Sequence, residues 1–206
     1  MSGTDWKTIK RVLGAGVAEP AARASTRVAE RAEREGLVDV AYARFDSPFG
    51  AGTIAATERG VVSVGLPNRP LDELLDQLAG AISPRVLEAP ARLDAARREL
   101  DEYFAGRRRE FDLALDWRLI TPGFYTKVLK ATSRLPFGAT STYAEIAAEA
   151  GNPRAYRAAG SALGHNPLPL LIPCHRILRA GGDVGGYAGG PSVKEFLLDH
   201  ENALAG

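Results

Sequence analysis

Asn166-Pro167-Leu168-Pro169-Leu170-Leu171-Ile172-Pro173-Cys174-His175-Arg176 is the stretch from which the rest of the chain is placed. Its three prolines exclude a helix and remove backbone donors, so an extended, stiff arm is expected here. Such an arm would hold the Cys174 thiol in one orientation. His175 is its neighbour, and Glu201 follows within a helical pattern from Ser192 to Asn202. A thiol, an imidazole and a carboxylate are the parts needed to make a thiolate near neutral pH, with His taking the proton and the carboxylate steadying the imidazolium. The structural alternative is a buried Cys acting as a small hydrophobe.

Downstream of the arm, Gly181 to Gly190 holds six glycines and one aromatic, Tyr187. Glycine permits close backbone approach to a ligand, and Tyr187 would supply a flat wall with a hydroxyl. A flexible loop is the plain alternative. Upstream, Thr142 and Glu145 have the spacing of a capping box, predicting a helix from Tyr143 to Ala150 that ends at Gly151. Asn152-Pro153 reads as the cap and start of a second helix, from Arg154 to about Gly164. Two short helices joined in this way suggest a helix-turn-helix, although helix pairs also serve as plain core. A further helix is expected from Pro122, with Phe124, Val128 and Leu129 on its apolar side, broken at Pro136-Phe137-Gly138.

The first half reads differently. Val38 to Phe45 alternates like a half-buried strand, Ser47-Pro48-Phe49-Gly50 is a turn, and Ala51–Ala56 and Val61–Leu66 are further strands of an antiparallel meander. Helices are predicted over Leu71–Ala79 and Ala91–Phe104, the second with Leu93, Ala96, Leu100 and Phe104 on one face. Arg107-Arg108-Arg109 after its end suit the helix dipole without any nucleic acid. Residues 1–36 read as a surface helix from Glu19 to Gly36 or a frayed tail.

Composition limits the chemistry. The 206 residues carry a formal net charge of +1, and a single Cys excludes an internal disulfide, a thiolate zinc cluster and a CxxC redox pair. Three His make a His-rich metal site unexpected. No apolar run approaches the ~20 residues of a membrane span, and the polar start is no secretory signal, so a cytoplasmic protein is expected. Residues 118–206 hold nine Lys/Arg against six Asp/Glu, a modest basic excess.

The string GNPRAYRAAGSALGHNPLPLLIPCHRIL, then GGYAGG and VKEFLLDHE, closely resembles the O6-alkylguanine-DNA alkyltransferase family over roughly residues 120–203. DSPFGAGTIAATERGVVSVGL and LDEYFAGRRREFDLALD resemble that family's less distinctive N-terminal region. The resemblance implies an α/β two-domain protein: a ribonuclease-H-like domain over 37–118, and a helical domain over 119–206 with a winged helix-turn-helix-like DNA-binding element. Residues 1–36 are an extension without a counterpart. Some members carry an N-terminal zinc site, but the first half here has neither Cys nor His, so no metal and no cofactor is expected.

The same resemblance implies roles. Cys174 would take the alkyl group from O6-alkylguanine in double-stranded DNA, O4-alkylthymine being a minor substrate, with its proton passing to His175 through a water and Glu201 holding the imidazole. Tyr187 would donate toward the purine. Ala188, where some relatives have Ser, and Gly189 would meet the base through backbone amides. Asn166 would tie the arm by backbone hydrogen bonds rather than touch the lesion. Arg157 would fill the space left by the flipped base from the minor groove, and Tyr143 would push its phosphate. Arg154, Ala155 and Gly160 would lie at the DNA, small residues there letting the helix approach closely. Lys194 is read either as a pocket-rim residue or as a surface lysine. The thioether product has no route back to the thiol, so the protein would act once. No membrane partner is expected; a monomer is, with cooperative DNA binding left open. Competing readings are a lesion sensor that does not repair, a cysteine hydrolase and a helix-turn-helix regulator.

Overall fold

The computed structural model of the chain describes residues 27, 29 and 31–202. The helix expected from Glu19 lies largely outside them; residues 31–34 are helical. Three strands follow, β1 (Val40–Phe45), β2 (Gly52–Thr57) and β3 (Gly60–Gly65), paired antiparallel in sequence order as the turn residues predicted. A fourth, β4 (Val86–Glu88), joins parallel to β1 and completes the order β3-β2-β1-β4. The half-buried alternation expected of Val38–Phe45 is found in β1, where Tyr42 and Arg44 are open between buried Ala41, Ala43 and Phe45, whereas every residue of β2 is buried. The cause is that both faces are covered. Helix α1 (Leu71–Ala81) places Leu74 and Leu78 on one face, against Val40, Ala55 and Val62. The other face joins the main core.

Gly60 shows why this sheet requires a particular residue. Its φ is +126°, and a Cβ there would lie 2.1 Å from the carbonyl oxygen of Ala114. The chain that follows the helix ending at Phe104 therefore runs hard against the β2–β3 turn, where Val61 N donates to that same carbonyl at 2.8 Å. Only glycine fits such an approach.

Helix α2 (Asp94–Phe104) is preceded by a 3-10 turn over Pro90–Leu93, so the predicted helix is present but tightened at its start. Next, α3 (Phe124–Thr132) begins after Gly123 at φ +91°, two residues beyond the predicted Pro122 start. Thr142 caps α4 (Tyr143–Glu149) with both bonds of the capping box. The second helix of the pair, α5 (Tyr156–Gly164), starts two residues later than expected. Asn152 and Pro153 do not cap it: they form a turn closing α4, with Asn152 N bonded to Ala147 O and Ala155 N to Asn152 O. The last helix, α6, spans Pro191–His200.

One apolar core runs through the whole arrangement, from Ile54, Val64, Leu93 and Leu100 to Leu129, Ile146, Leu168, Ile172 and Leu197. The arm from Asn166 passes through it and is buried throughout. The sheet also grips the arm directly, since Pro167 O accepts from Val64 N at 2.8 Å and from Ser63 Oγ at 3.2 Å.

Candidate active site around Cys174

Residues 166–176 are buried and turned, not extended. Ile172 N donates to Leu168 O at 2.8 Å, Leu170 has φ +75°, and Cys174–Arg176 form a 3-10 turn. The prolines removed helix but did not demand an extended chain, because each fits a turn equally well. This bend overcomes the alternation that would send neighbouring Cys and His side chains to opposite sides of an extended strand. Ile177–Leu178 (β6) then pairs in parallel with Ser141–Thr142 (β5), tying the arm to the capped start of α4.

Cys174 is 5% exposed. Its sulfur accepts from Asn166 Nδ2 at 3.2 Å, and the same amide nitrogen donates to Ile172 O at 2.9 Å. Asn166 Oδ1 accepts from Leu168 N at 3.0 Å. Asn166 therefore does tie the arm through its backbone, as expected, but it also touches the nucleophile itself, which the sequence reading missed. Burial pushes the thiol above its ordinary range, while the Asn166 donor and the Lys194 charge pull it back.

His175 is wholly buried, with Nε2 2.9 Å from Glu201 Oε1. Burial tends to raise the Glu201 carboxyl, but donors from His175 and Arg176 outweigh it and hold the group far below the usual range. An ionised carboxylate only accepts, so Nε2 carries the ring proton and Nδ1 is a bare acceptor. Burial lowers the His175 pKa, so the ring rests neutral. Nδ1 is buried and has no partner among the described residues. A buried acceptor left open on the residue that follows the thiol in the chain is where a proton would be received.

Glu201 is more heavily held than a His–carboxylate pair requires. Arg176 forks onto it, Nε to Oε2 at 2.7 Å and Nη2 to Oε1 at 2.9 Å, and Gly138 N donates to Oε2 at 3.2 Å. From the first half of the chain, Tyr103 Oη reaches Oε1 at 2.7 Å. Neither Arg176 nor Tyr103 was singled out from the sequence.

Lys194 is neither on the surface nor at a rim: it is 0% exposed. Its ammonium donates to the carbonyls of Ile177 and Gly186, joining the arm to the glycine loop. Burial lowers its pKa to about 8, against the pull of the Cys174 charge. A cation placed there favours the thiolate.

A cavity of about 570 Å³ opens over the sulfur, lined among others by Tyr143, Tyr156, Gly160, Cys174, Arg179 and Tyr187. That volume is in the range of small-ligand sites. The ring of Tyr187 lies edge-on to His175, centroids 6.2 Å apart, and its buried hydroxyl has no partner among the described residues. Burial first, and the Cys174 charge next, push the Tyr187 pKa well above 10, so it remains a donor. Tyr143 is half-buried against α5, and a Cβ on Gly160 would sit 3.6 Å from its ring. Arg179, also overlooked in the sequence, adds an exposed cation to the lining. A larger cavity of about 710 Å³ lies on the other side of Asn166, between Arg69 and His165, and Cys174 is not among its walls.

The remaining expected residues divide. Arg154, in the turn before α5, and Arg157, on α5, are exposed and make no ion pair among the described residues; Arg157 lies over the Tyr156 ring at 5.8 Å. Ala155 sits at the helix start. Ala188 borders the cavity, but its carbonyl accepts from Asn68 Nδ2 at 2.7 Å. Gly189 does not line the cavity: a Cβ there would come 2.8 Å from Leu66 and 3.1 Å from Tyr187, so its place is packing. No group of three His, Cys, Asp or Glu among the described residues is placed to hold a metal.

The geometry has clear relatives. A family model described as the 6-O-methylguanine DNA methyltransferase DNA binding domain matches residues 123–203, and one described as that protein's ribonuclease-like domain matches residues 40–117. The methylated-DNA–protein-cysteine methyltransferase of Methanosarcina barkeri is 38% identical over 162 residues, 78% of this chain and 96% of its own length. That of Mycobacterium bovis is 38% identical over 164 residues, 80% of this chain and 93% of its own. The crystal structure of Mycobacterium tuberculosis OGT in complex with DNA is similar at a TM-score of 0.69 and 34% identity, covering 79% of this chain and 93% of that one. With both halves matched, and relatives aligned across nearly their full length, the chain belongs to the methylated-DNA–protein-cysteine methyltransferase family.

Proposed function

We propose that this protein repairs DNA by moving an alkyl group from O6 of guanine onto Cys174, once per molecule. The observation that carries the reading is the open Nδ1 of His175, whose opposite nitrogen is locked on Glu201, in the residue that directly follows Cys174, itself on the wall of a base-sized cavity. O6 of a paired guanine is out of reach inside a duplex, so the nucleotide is rotated out of the stack into this cavity. The thiol proton passes through a water to Nδ1, and Glu201 stabilises the imidazolium. Lys194 and Asn166 favour the thiolate. The sulfur attacks the alkyl carbon in line, the S–C bond forms as the C–O6 bond breaks, and the electron pair goes to the purine. Tyr187 hydrogen-bonds to that ring, and the proton the thiol gave to His175 returns through water to the purine, so that the leaving group departs as neutral guanine. The thioether left on Cys174 offers water no acyl carbon, so the site is consumed.

On the DNA side, Arg157 enters from the minor groove as the base leaves and Tyr143 bears on its phosphate, with Gly160 on the approaching helix and Arg154 and Ala155 in the turn that leads into it. Minor-groove contact suits a protein that inspects every sequence, because that groove carries little base information. We read residues 37–118 as the ribonuclease-H-like domain and 119–206 as a winged helix-turn-helix-like domain, acting as a monomer in the cytoplasm. No described helix is long and apolar enough to cross a membrane. Ala188 brings no side-chain hydroxyl to the base, which bears on the alkyl groups accepted; O4-alkylthymine is a minor substrate in this reading. A cysteine hydrolase would use the same thiol, imidazole and carboxylate but would turn over repeatedly through an acyl-enzyme, and the number of turnovers per chain distinguishes the two. Incubation with a methylated duplex tests the proposal: Cys174 gains a methyl group, whereas tight binding without a mass change would mark a sensor.

A further inference from the structure

Tyr103 belongs to α2, in the half of the chain that carries none of the proposed chemistry, yet it is 1% exposed and clips two consecutive residues of the other half. Its hydroxyl donates to Glu201 Oε1 at 2.7 Å, and its carbonyl lies 2.7 Å from His200 Nε2. Phe111, Phe137 and His200 pack around the ring. The carboxylate oxygen that Tyr103 holds is the one that faces His175. Arg176 forks across both oxygens and fixes the carboxylate plane, while Tyr103 occupies the remaining approach to Oε1.

We propose that Tyr103 is a positioning residue: by clamping Glu201 it aims the His175 imidazole at the thiol, so that the N-terminal half of the chain sets the rate of alkyl transfer. The proposal rests on the transfer reading above. A phenol keeps its proton here, since burial and the neighbouring carboxylate both oppose ionisation, so the clamp persists through the neutral range. Loss of its hydroxyl frees the carboxylate to swing, and the imidazole follows.

Single-turnover transfer rates from a methylated duplex, measured in the full chain, provide the test. Tyr103→Phe keeps the ring contacts and removes only the donor. It should slow transfer by roughly tenfold, the scale of one hydrogen bond to a charged group. In a His175→Gln background the same change should alter the rate by less than about twofold, because a residue acting through His175 loses its effect when His175 is gone. Equal slowing in both backgrounds would reveal a merely structural role, and an unslowed Tyr103→Phe would overturn the proposal outright. His200→Phe cuts the other half of the clip while keeping the stacked ring, and carries the same His175-dependent expectation if Tyr103→Phe does not fold. Failure of the unaltered protein to transfer at all would instead refute the underlying reading.

Discussion

Glu201→Gln separates stability from chemistry at one atom. The carboxylate is 2% exposed and neutralises a guanidinium that is itself only 6% exposed. A Gln amide keeps one acceptor but turns an N–H₂ either toward Tyr103, His175 and Arg176 Nη2 or toward Arg176 Nε and Gly138 N, so one set of donors must lose its partner. Removing one member of a buried ion pair costs about 3–5 kcal/mol, because the other charge is left uncompensated. Against a total stability of about 5–15 kcal/mol, that is a large fraction. In a chain of this size each kcal/mol moves the melting temperature by roughly 2–4 °C, so Glu201→Gln should melt roughly 6–20 °C below the unaltered protein at pH 7. The effect should also depend on pH. The Glu201 pKa is lowered on folding from its ordinary 4.5, so its contribution is full above that pH and fades as the pH falls through the folded value. The melting gap should therefore narrow steadily below about pH 4.5. Adding Arg176→Met should recover part of the loss, since no charge is then stranded. A Glu201→Gln protein melting within about 2 °C of the unaltered one, or a gap that widens in acid, would refute the account of this hub.

Lys194→Met should leave a folded protein whose Cys174 reacts with iodoacetamide only at higher pH than in the unaltered chain, as the nearby cation is lost; with one Cys in the chain, the mass shift reports that residue alone. Gly189→Ala should destabilise by about 1–3 kcal/mol through its overlap with Leu66 and Tyr187, whereas Gly160→Ala, which meets Tyr143 at ordinary contact distance, should gain about 0.5–1 kcal/mol of helix stability; denaturant titration of the pair distinguishes them, and equal effects would contradict the packing. Arg157→Ala should slow repair of a duplex at least about tenfold more than reaction with a free alkylguanine base, given the few kcal/mol that flipping demands; equal slowing of both would remove Arg157 from the flipping step. Thr142→Ala should cost about 1 kcal/mol by breaking the capping box.

Local chemistry was legible wherever a residue speaks to near neighbours. The Thr142–Glu145 pair fixed the start of α4 because both partners of a capping box lie within one turn. The meander followed from its turn residues, and Cys174, His175 and Glu201 were identified by their kinds and order. What escaped notice depends on partners distant along the chain. Periodicity assigned Phe104 to the buried face of α2, but the fully buried residue is its neighbour Tyr103, drawn in by a carboxylate nearly a hundred positions away. Lys194 reads as a pocket-rim or surface lysine, and its burial escaped notice because its partners are backbone carbonyls, which leave no trace in residue type. Strand β4 is three residues long, too short to show a period. The prolines of the arm said what it could not be, and the choice between an extended and a turned path fell to the core packed around it.

The central claim is that Cys174 itself ends up carrying the carbon. The direct measurement is the intact and peptide mass of the reduced full chain after incubation with an excess of duplex containing O6-methylguanine. One methyl per molecule, located on the peptide holding Cys174, with guanine restored in equal amount and no further turnover, is the predicted result. An unmodified Cys174 peptide beside unrepaired DNA, or repair that continues beyond one lesion per chain, would contradict it.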